Sequence, residues 1–285
     1  MKRRAVSLVE VILVIAILAV LIGLLLPAIA KVRRAAARSA CENRIRQLVL
    51  ACHNYESANG HLPGLKAIDV TDISNPWLYV SITPYIEMPK TNWPKQGAPV
   101  PRIKAYLCTD DPAVMAWDQN IQTETSVYSI SSYPVNVRSI VGPARLGASF
   151  PDGTSTTLAL AERYGFYGNP GVRTDYTLVN HSNVLPNGQS LQIRRVTFAD
   201  PGYGDAVPIT DEQTKTTRSS VRGLTFQVAP KREEADLRIL HTPHHGGMPT
   251  AFWDGGVRIL SPTIAESIFW ALVTPAGGEV LPTEY

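Results

Sequence analysis

The stretch that decides the fold is Met1–Arg34, MKRRAVSLVEVILVIAILAVLIGLLLPAIAKVRR. From Val11 to Ala30 every residue except Gly23 and Pro27 is Ala, Val, Ile or Leu, and no side chain is charged. Twenty such residues match what a helix needs to cross a hydrocarbon layer of about 30 Å. A soluble core helix rarely stays apolar on all faces for that long. A cleaved secretory signal is the rival reading, with Lys2, Arg3 and Arg4 as its basic region and Ala28-Ile29-Ala30 as a small-residue cleavage site. The apolar run is too long for that, and helical character continues through Lys31 and Arg33, so the segment is read as a transmembrane anchor. Within it Glu10 stands out, a carboxylate at the edge of a segment that must leave water. One local role is a capping box, Ser7-Leu8-Val9-Glu10, in which Glu10 returns to the Ser7 amide.

Beyond the anchor, residues 29–64 (IAKVRRAAARSACENRIRQLVLACHNYESANGHLPG) keep helical character, rich in Ala, Arg and Leu. Ile45, Leu48 and Cys52 recur at i, i+3 and i+7 beside Val49, an apolar stripe that needs a surface to lie against. Asn59-Gly60 and Pro63-Gly64 stop the helix. Anchor and stripe together predict one helix of about 50 residues, near 75 Å at 1.5 Å per residue, bent near Pro27.

Charge is divided along the chain. Residues 1–50 hold nine of the 27 Lys and Arg against two of the 24 acidic side chains, a net +7, which leaves −4 for the remainder. A basic stem on a mildly acidic head suits anionic lipid headgroups, and it argues against nucleic acid as a partner. Basic residues on both sides of the anchor orient it only weakly.

After residue 60 the texture turns to short β-like runs between turn residues: IKAYLC, TSVYSISSY, TTLALAERYGFY, LQIRRVTF, GLTFQV and GVRIL. The best helix there is SPTIAESIFWALV, with Ser261 and Thr263 as candidate caps. PKTNWPKQGAPVPR reads as a surface loop. FWDGGVRIL reads as a hairpin in which Asp254-Gly255 supplies the positive-φ turn, and Asp152-Gly153 in FPDGTST is likewise read as a turn. The expected class is α+β: a pilin-like long N-terminal transmembrane helix packed on a mostly antiparallel, β-rich globular head. The expected parts are a basic leader (1–5), the transmembrane helix (6–30), its amphipathic continuation (31–58) and the head (59–285).

No Gly-rich phosphate loop, His-Glu-x-x-His, Gly-x-Ser-x-Gly or pair of Cys-x-x-Cys motifs is present. The densest chemical cluster is His241, His244 and His245, with Asp254 downstream. Three imidazoles and a carboxylate are a possible zinc set. His-Thr-Pro-His-His-Gly-Gly is loop chemistry, however, so the structural reading is preferred, with no metal, no cofactor and no catalytic residue. Cys41 and Cys52 lie about 16 Å apart on one helix and cannot bridge, so Cys108 pairs with one of them or with neither.

The leader followed by AVSLVE and an apolar run with Pro27 resembles the N-terminus of type IV prepilins and pseudopilins. That resemblance implies a prepilin peptidase cutting between Ala5 and Val6, N-methylation of Val6, and Glu10 as the fifth mature residue. Ala5 stands where these proteins usually carry glycine, and Val6 where phenylalanine is common. Further blocks extend the likeness: CENRIRQLVLACHNYESANGHLPG, TPYIEMP, YLCTDDPA, FPDGTSTTLALAE, HHGGMPTAFWDGGVRIL and WALVTPAGGEVL resemble the domain-of-unknown-function 1559 family. Pilin-like bacterial proteins of that family show a histidine followed after nine residues by Asp-Gly, here His244 and Asp254-Gly255. The resemblance implies a disulfide from Cys41 to Cys108, with Cys52 a buried free thiol. It implies that Glu10 meets the α-amine of a neighbouring subunit as helices assemble, in a type IV pilus or a type II secretion-like system.

The expected function is a non-enzymatic subunit in the cytoplasmic membrane, single-pass, with its head on the periplasmic or extracellular side. Its partners would be the bilayer, the prepilin peptidase and other pilin-like subunits. The alternative is a membrane-tethered binding module or metal-dependent hydrolase that never polymerises.

Overall fold

A computed structural model describes residues 8–64, 77–86, 103–114, 130–140, 142–169, 173–178, 193–195, 197–199, 225–236 and 239–282. The leader, the Ala5-Val6 junction, Ser7 of the capping box and the loop PKTNWPKQGAPVPR lie outside these residues. The chain divides into two compact units, residues 1–39 and 40–285.

Helix α1 runs Leu8–Asn59 and continues through Pro27 without a break in its assignment. Within the first unit its large apolar side chains are between 44% (Val11) and 76% (Leu8) exposed, on every face of the helix. By length and composition this helix can cross a membrane, as a single-pass anchor requires.

In the second unit the same helix obeys the opposite rule. Cys41, Ile45, Leu48, Val49 and Cys52 are buried on one face, as the i, i+3, i+7 stripe predicts. Each large aliphatic side chain so buried is worth about 1.5–3 kcal/mol relative to exposure. The helix ends where Gly60 takes φ +77° and its N–H reaches the Glu56 carbonyl at 2.7 Å. Glycine enters this left-handed conformation without the cost a Cβ imposes. The chain is then held by Leu62 N–H to Ala144 O, and Glu56 Oε1 accepts from the Leu146 amide at 2.6 Å.

The head is built on a five-stranded sheet. Its strands are β1 (Val135–Asn136), β2 (Leu158–Leu160), β6 (Thr197–Phe198), β9 (Met248–Phe252) and β10 (Val257–Leu260), in the order β10-β9-β2-β1-β6. All neighbours are antiparallel except β1 and β6. A second sheet joins β3 (Phe166–Asn169), β4 (Arg173–Leu178) and β5 (Ile193–Arg195), and a third pairs β7 (Phe226–Val228) with β8 (Leu240–Thr242) in parallel. Helices α2 (Trp77–Ile82) and α3 (Glu266–Val273) lie among the other described residues.

The period of two in β9 sorts the main sheet's faces. Ala251 and Trp253 join the core beneath α1 with Ile45, Leu48 and Val135, whereas Met248 and Phe252 join the core with Phe269 and Leu272 of α3. In β2 the alternation slips. Leu158 belongs to the α3 side and Leu160 to the α1 side, because the β2–β9 register shifts between them. The class is therefore α+β, a mixed, mostly antiparallel sheet between a long N-terminal helix and a short C-terminal one.

Several expected elements differ. IKAYLC forms a 3-10 turn, Lys104–Tyr106, instead of a strand, and Ser131–Tyr133 of TSVYSISSY lie outside any strand. Ile103, Tyr106, Leu107 and Tyr133 are buried there without belonging to a strand. The C-terminal helix starts at Glu266, with Ala265 at its N-cap and no side-chain cap. Ser261 Oγ instead accepts from the Thr263 amide at 3.2 Å, closing a turn ahead of the helix. His241 sits in β8 rather than in a loop.

Candidate functional site

Four chain segments bring chemically active side chains together in the head. The first is α1, which carries Cys41 on its buried face. The second is the turn after Tyr106, where Arg44 Nη1 donates to the Leu107 carbonyl at 2.7 Å and the Asp111 amide to Cys108 O at 3.3 Å. Through these contacts Cys108 faces the helix, and Cys41 and Cys108 form a disulfide that spans 67 positions of sequence. Cys52 is buried and outside this pair, and burial pushes its thiol far above its ordinary pKa.

The third segment extends β2. Beyond Leu160 the ladder continues as Ala161 N–H to Pro134 O at 3.1 Å and Arg163 N–H to Ser132 O at 2.9 Å. This continuation carries Glu162 and Arg163 into the interior, each 1% exposed. Arg163 Nη1 donates to Thr197 O at 2.6 Å. The fourth segment is the turn between β8 and β9. The His244 amide donates to Thr242 Oγ1 at 3.2 Å, and Gly247 (φ +116°) closes the turn. A Cβ on Gly247 would stand 2.3 Å from Leu260 O, so only glycine lets β9 begin there.

These segments place His244 at the centre of the cluster. Its Nε2 lies 3.5 Å from Cys108 Sγ and 3.4 Å from Glu162 Oε1, and its Nδ1 lies 3.7 Å from Asp110 Oδ2. Glu162 Oε2 accepts from Thr242 Oγ1 at 2.6 Å, whereas the buried Oε1 faces the His244 ring nitrogen. Burial raises the Glu162 pKa, opposed by His244 and Thr242. Beside the cluster Asp111 is fully buried and accepts three bonds: Ala113 N–H at 2.8 Å, Ser132 Oγ–H at 2.7 Å and Gly165 N–H at 2.8 Å. Burial pushes its carboxyl up to about 6, against the pull of those donors.

The sequence-predicted residues are therefore dispersed. His241 Nε2 meets the Asp236 carbonyl at 2.7 Å, and its ring lies 5.3 Å from that of Tyr164. His245 is exposed. Asp254 and Gly255 form the β9–β10 turn, where Asp254 Oδ1 accepts from the Gly256 amide at 2.8 Å and Gly255 has φ +84°. The His244 ring faces the disulfide and Glu162. Among the described residues the set of His, Cys, Asp or Glu that gathers ligand atoms within 4.8 Å of one another is Cys41, Cys108, Glu162 and His244. Asp152 does close a turn, and its carboxylate takes the Gly277 and Gly278 amides at 2.6 and 3.0 Å, fixing the C-terminal segment. Glu10 lies in the first turn of α1.

Glu162, Thr242, Asp110 and Asp111 are the residues that sequence reasoning passes over. A signal existed in LALAER, where a carboxylate and a guanidinium follow an apolar run without a turn residue between them. Such a pair continues the strand inward and has to be satisfied there.

No curated protein and no solved structure matches the chain significantly. A family whose members are described as proteins of unknown function (DUF1559) matches residues 30–267, which take in the second half of α1, all four segments of the cluster and both sheet faces. On that match the chain belongs to the DUF1559 family.

Proposed function

We propose that this protein is a non-enzymatic, membrane-anchored pilin-like or pseudopilin-like subunit whose head stands outside the cytoplasmic membrane. The observation that carries the reading is α1. One uninterrupted helix is apolar and exposed on all faces from Leu8 to Val32, and from Cys41 onward it is buried on one face as part of a folded head. A helix of the first kind finds its solvent in lipid, or among copies of itself.

On this reading a prepilin peptidase cuts between Ala5 and Val6, and the new α-amine is methylated. Glu10 then pairs with the Val6 amine of a neighbouring subunit in a type IV pilus or type II secretion-like assembly. An unpaired carboxylate is costly in hydrocarbon, so such pairing sets register between helices. Mass spectrometry of the N-terminus of membrane-extracted protein tests the proposal. A mature chain beginning at methylated Val6 supports it. A chain beginning at Lys31 makes the segment a removed signal, and an intact Met1 leaves a tethered module that never enters a filament.

A further inference from the structure

The cluster around His244 has the donor set and the dimensions of a metal centre. Four-coordinate zinc takes Cys sulfur at about 2.3 Å and His nitrogen or carboxylate oxygen at about 2.0–2.2 Å. A tetrahedron with those bonds has a nitrogen–oxygen edge of about 3.4 Å and a nitrogen–sulfur edge of about 3.6 Å. The corresponding separations here are 3.4 Å from His244 Nε2 to Glu162 Oε1 and 3.5 Å from Nε2 to Cys108 Sγ. All four ligand atoms fall within 4.8 Å of one another, and all four residues are buried. The two sulfurs are joined as a disulfide, so their edge opens only on reduction.

The carboxylate itself points inward. Glu162 Oε2 is occupied by the Thr242 hydroxyl, and Oε1, buried in the cluster, faces the His244 ring nitrogen at 3.4 Å. A buried carboxylate is costly unless it is paired, and a cation at the centre of the four ligands would pair with it more fully than an imidazole at that distance. The outer contacts also suit a metal. Asp110 faces the other ring nitrogen of His244, and a carboxylate there orients a ligating imidazole and raises its basicity. Thr242 orients Glu162 by donating to its other oxygen. Two sulfurs, one nitrogen and one oxygen favour a borderline-soft divalent ion that accepts tetrahedral geometry, zinc above calcium or magnesium.

We infer that Cys41, Cys108, Glu162 and His244 form a zinc-class site in the reduced protein, which the Cys41–Cys108 disulfide closes when the chain is oxidised. The switch balances with a phosphine reductant. The disulfide takes up two electrons and two protons, the phosphine leaves as its oxide with oxygen from water, and each thiol loses its proton to solvent on binding the ion. A small-molecule disulfide restores the oxidised form: the two thiolates give it two electrons by thiol–disulfide exchange, it leaves as two thiols with two protons from solvent, and the ion is released as the protein S–S bond forms. The inference stands whether or not the protein polymerises.

The test uses the full chain in detergent, carrying Cys52→Ala so that the third thiol is silent. It is prepared once oxidised and once under phosphine, with two thiols per chain verified by alkylation after denaturation. Cobalt(II) is the probe. The reduced protein is expected to bind one ion per chain, with a thiolate-to-cobalt charge-transfer band and the intense visible bands of a tetrahedral centre, both abolished by zinc. The oxidised protein is expected to show neither band. His244→Ala should weaken cobalt binding at least tenfold, and Thr242→Val by roughly tenfold through loss of the outer contact. Glu162→Gln, which keeps the side chain's shape, serves if His244→Ala does not fold by circular dichroism. Absence of the charge-transfer band in reduced, folded protein overturns the inference. So does cobalt bound equally by both forms, which would assign it to exposed histidines such as His245, and so does affinity unchanged in both His244→Ala and Glu162→Gln.

Discussion

Leu21 and Leu48 belong to the same helix and differ in almost everything that matters. Leu21 is 51% exposed amid neighbours that are all apolar, and Leu48 is fully buried on one face of a helix whose other face carries Asn43 and Arg46. The lesson is that distribution around the helix, more than total hydropathy, tells which solvent a segment is built for. An all-round apolar surface has no polar face to give to water, whereas a stripe needs only one apolar neighbour. The sharpest way to break the comparison is to put a charge at each position. Leu48→Asp should prevent the head from folding, since an unpaired buried carboxylate costs several kcal/mol against a total stability of about 5–15 kcal/mol. Leu21→Asp should leave head unfolding within about 0.5 kcal/mol of wild type and shift protein out of the membrane fraction. Chemical denaturation followed by tryptophan fluorescence, with fractionation alongside, reads both. Equal loss of head stability in the two variants would end the distinction between the halves of α1.

The next largest effect concerns how the buried half is held to the sheet. The Cys41–Cys108 link closes a loop of 67 positions, so its loss should lower stability by about 4 kcal/mol on the chain-entropy account. Reduction in the presence of a chelator should show this in full. Zinc added to the reduced protein should restore part of it, because an ion bound only by the folded state adds stability by mass action. Recovery with zinc in Cys108→Ser would place the ion elsewhere.

This division also accounts for what was legible in the sequence. The long apolar helix, the Ile45-Leu48-Cys52 stripe, the Gly60 stop and the Asp254-Gly255 hairpin are periodic or local signals, and the fold reproduces each of them. The cluster is neither. Cys41, Cys108, Glu162 and His244 come from four segments across about two hundred positions, and only the sheet order β10-β9-β2-β1-β6 brings them together. The sequence drew attention to His241, His244 and His245 because they are adjacent, yet adjacent residues of a strand and its turn point to different neighbours. IKAYLC misled for a related reason: burial in a 3-10 turn selects the same apolar residues as burial in a strand.

Asp111 extends the comparison into the polar interior, with a smaller effect. Both of its oxygens accept from backbone amides, Oδ1 from Ala113 and Oδ2 from Gly165, and Oδ2 also accepts from Ser132. Asn at this position would turn an NH2 toward one of those amides. Asp111→Asn should therefore cost about 2–3 kcal/mol despite its equal size, the range for leaving a buried donor unsatisfied. Asn and Asp of equal stability in thermal unfolding would show that the carboxylate is already protonated and serves as a donor.

The smallest predicted effect is at the exposed end of the β9–β10 hairpin, where the stabilising contacts are local. Asp254 Oδ1 accepts from the Gly256 amide at 2.8 Å, and its own N–H reaches Thr154 O at 3.1 Å. Asp254→Ala removes the first and keeps the second, since the second is made by the backbone. The bond removed is solvent-exposed, so water replaces part of it, and the remaining loss is the aspartate's preference for closing the turn. The expected cost is roughly 1–2 kcal/mol, read as a shift in denaturation midpoint with unchanged slope. Gly255→Val bounds it from above, because a β-branched residue resists φ +84°. If Asp254→Ala instead costs as much as Asp111→Asn and weakens cobalt binding to the reduced protein, the turn and the His244 cluster form one coupled unit. The nine-residue spacing between His244 and Asp254 would then mark a shared site rather than two independent structural devices.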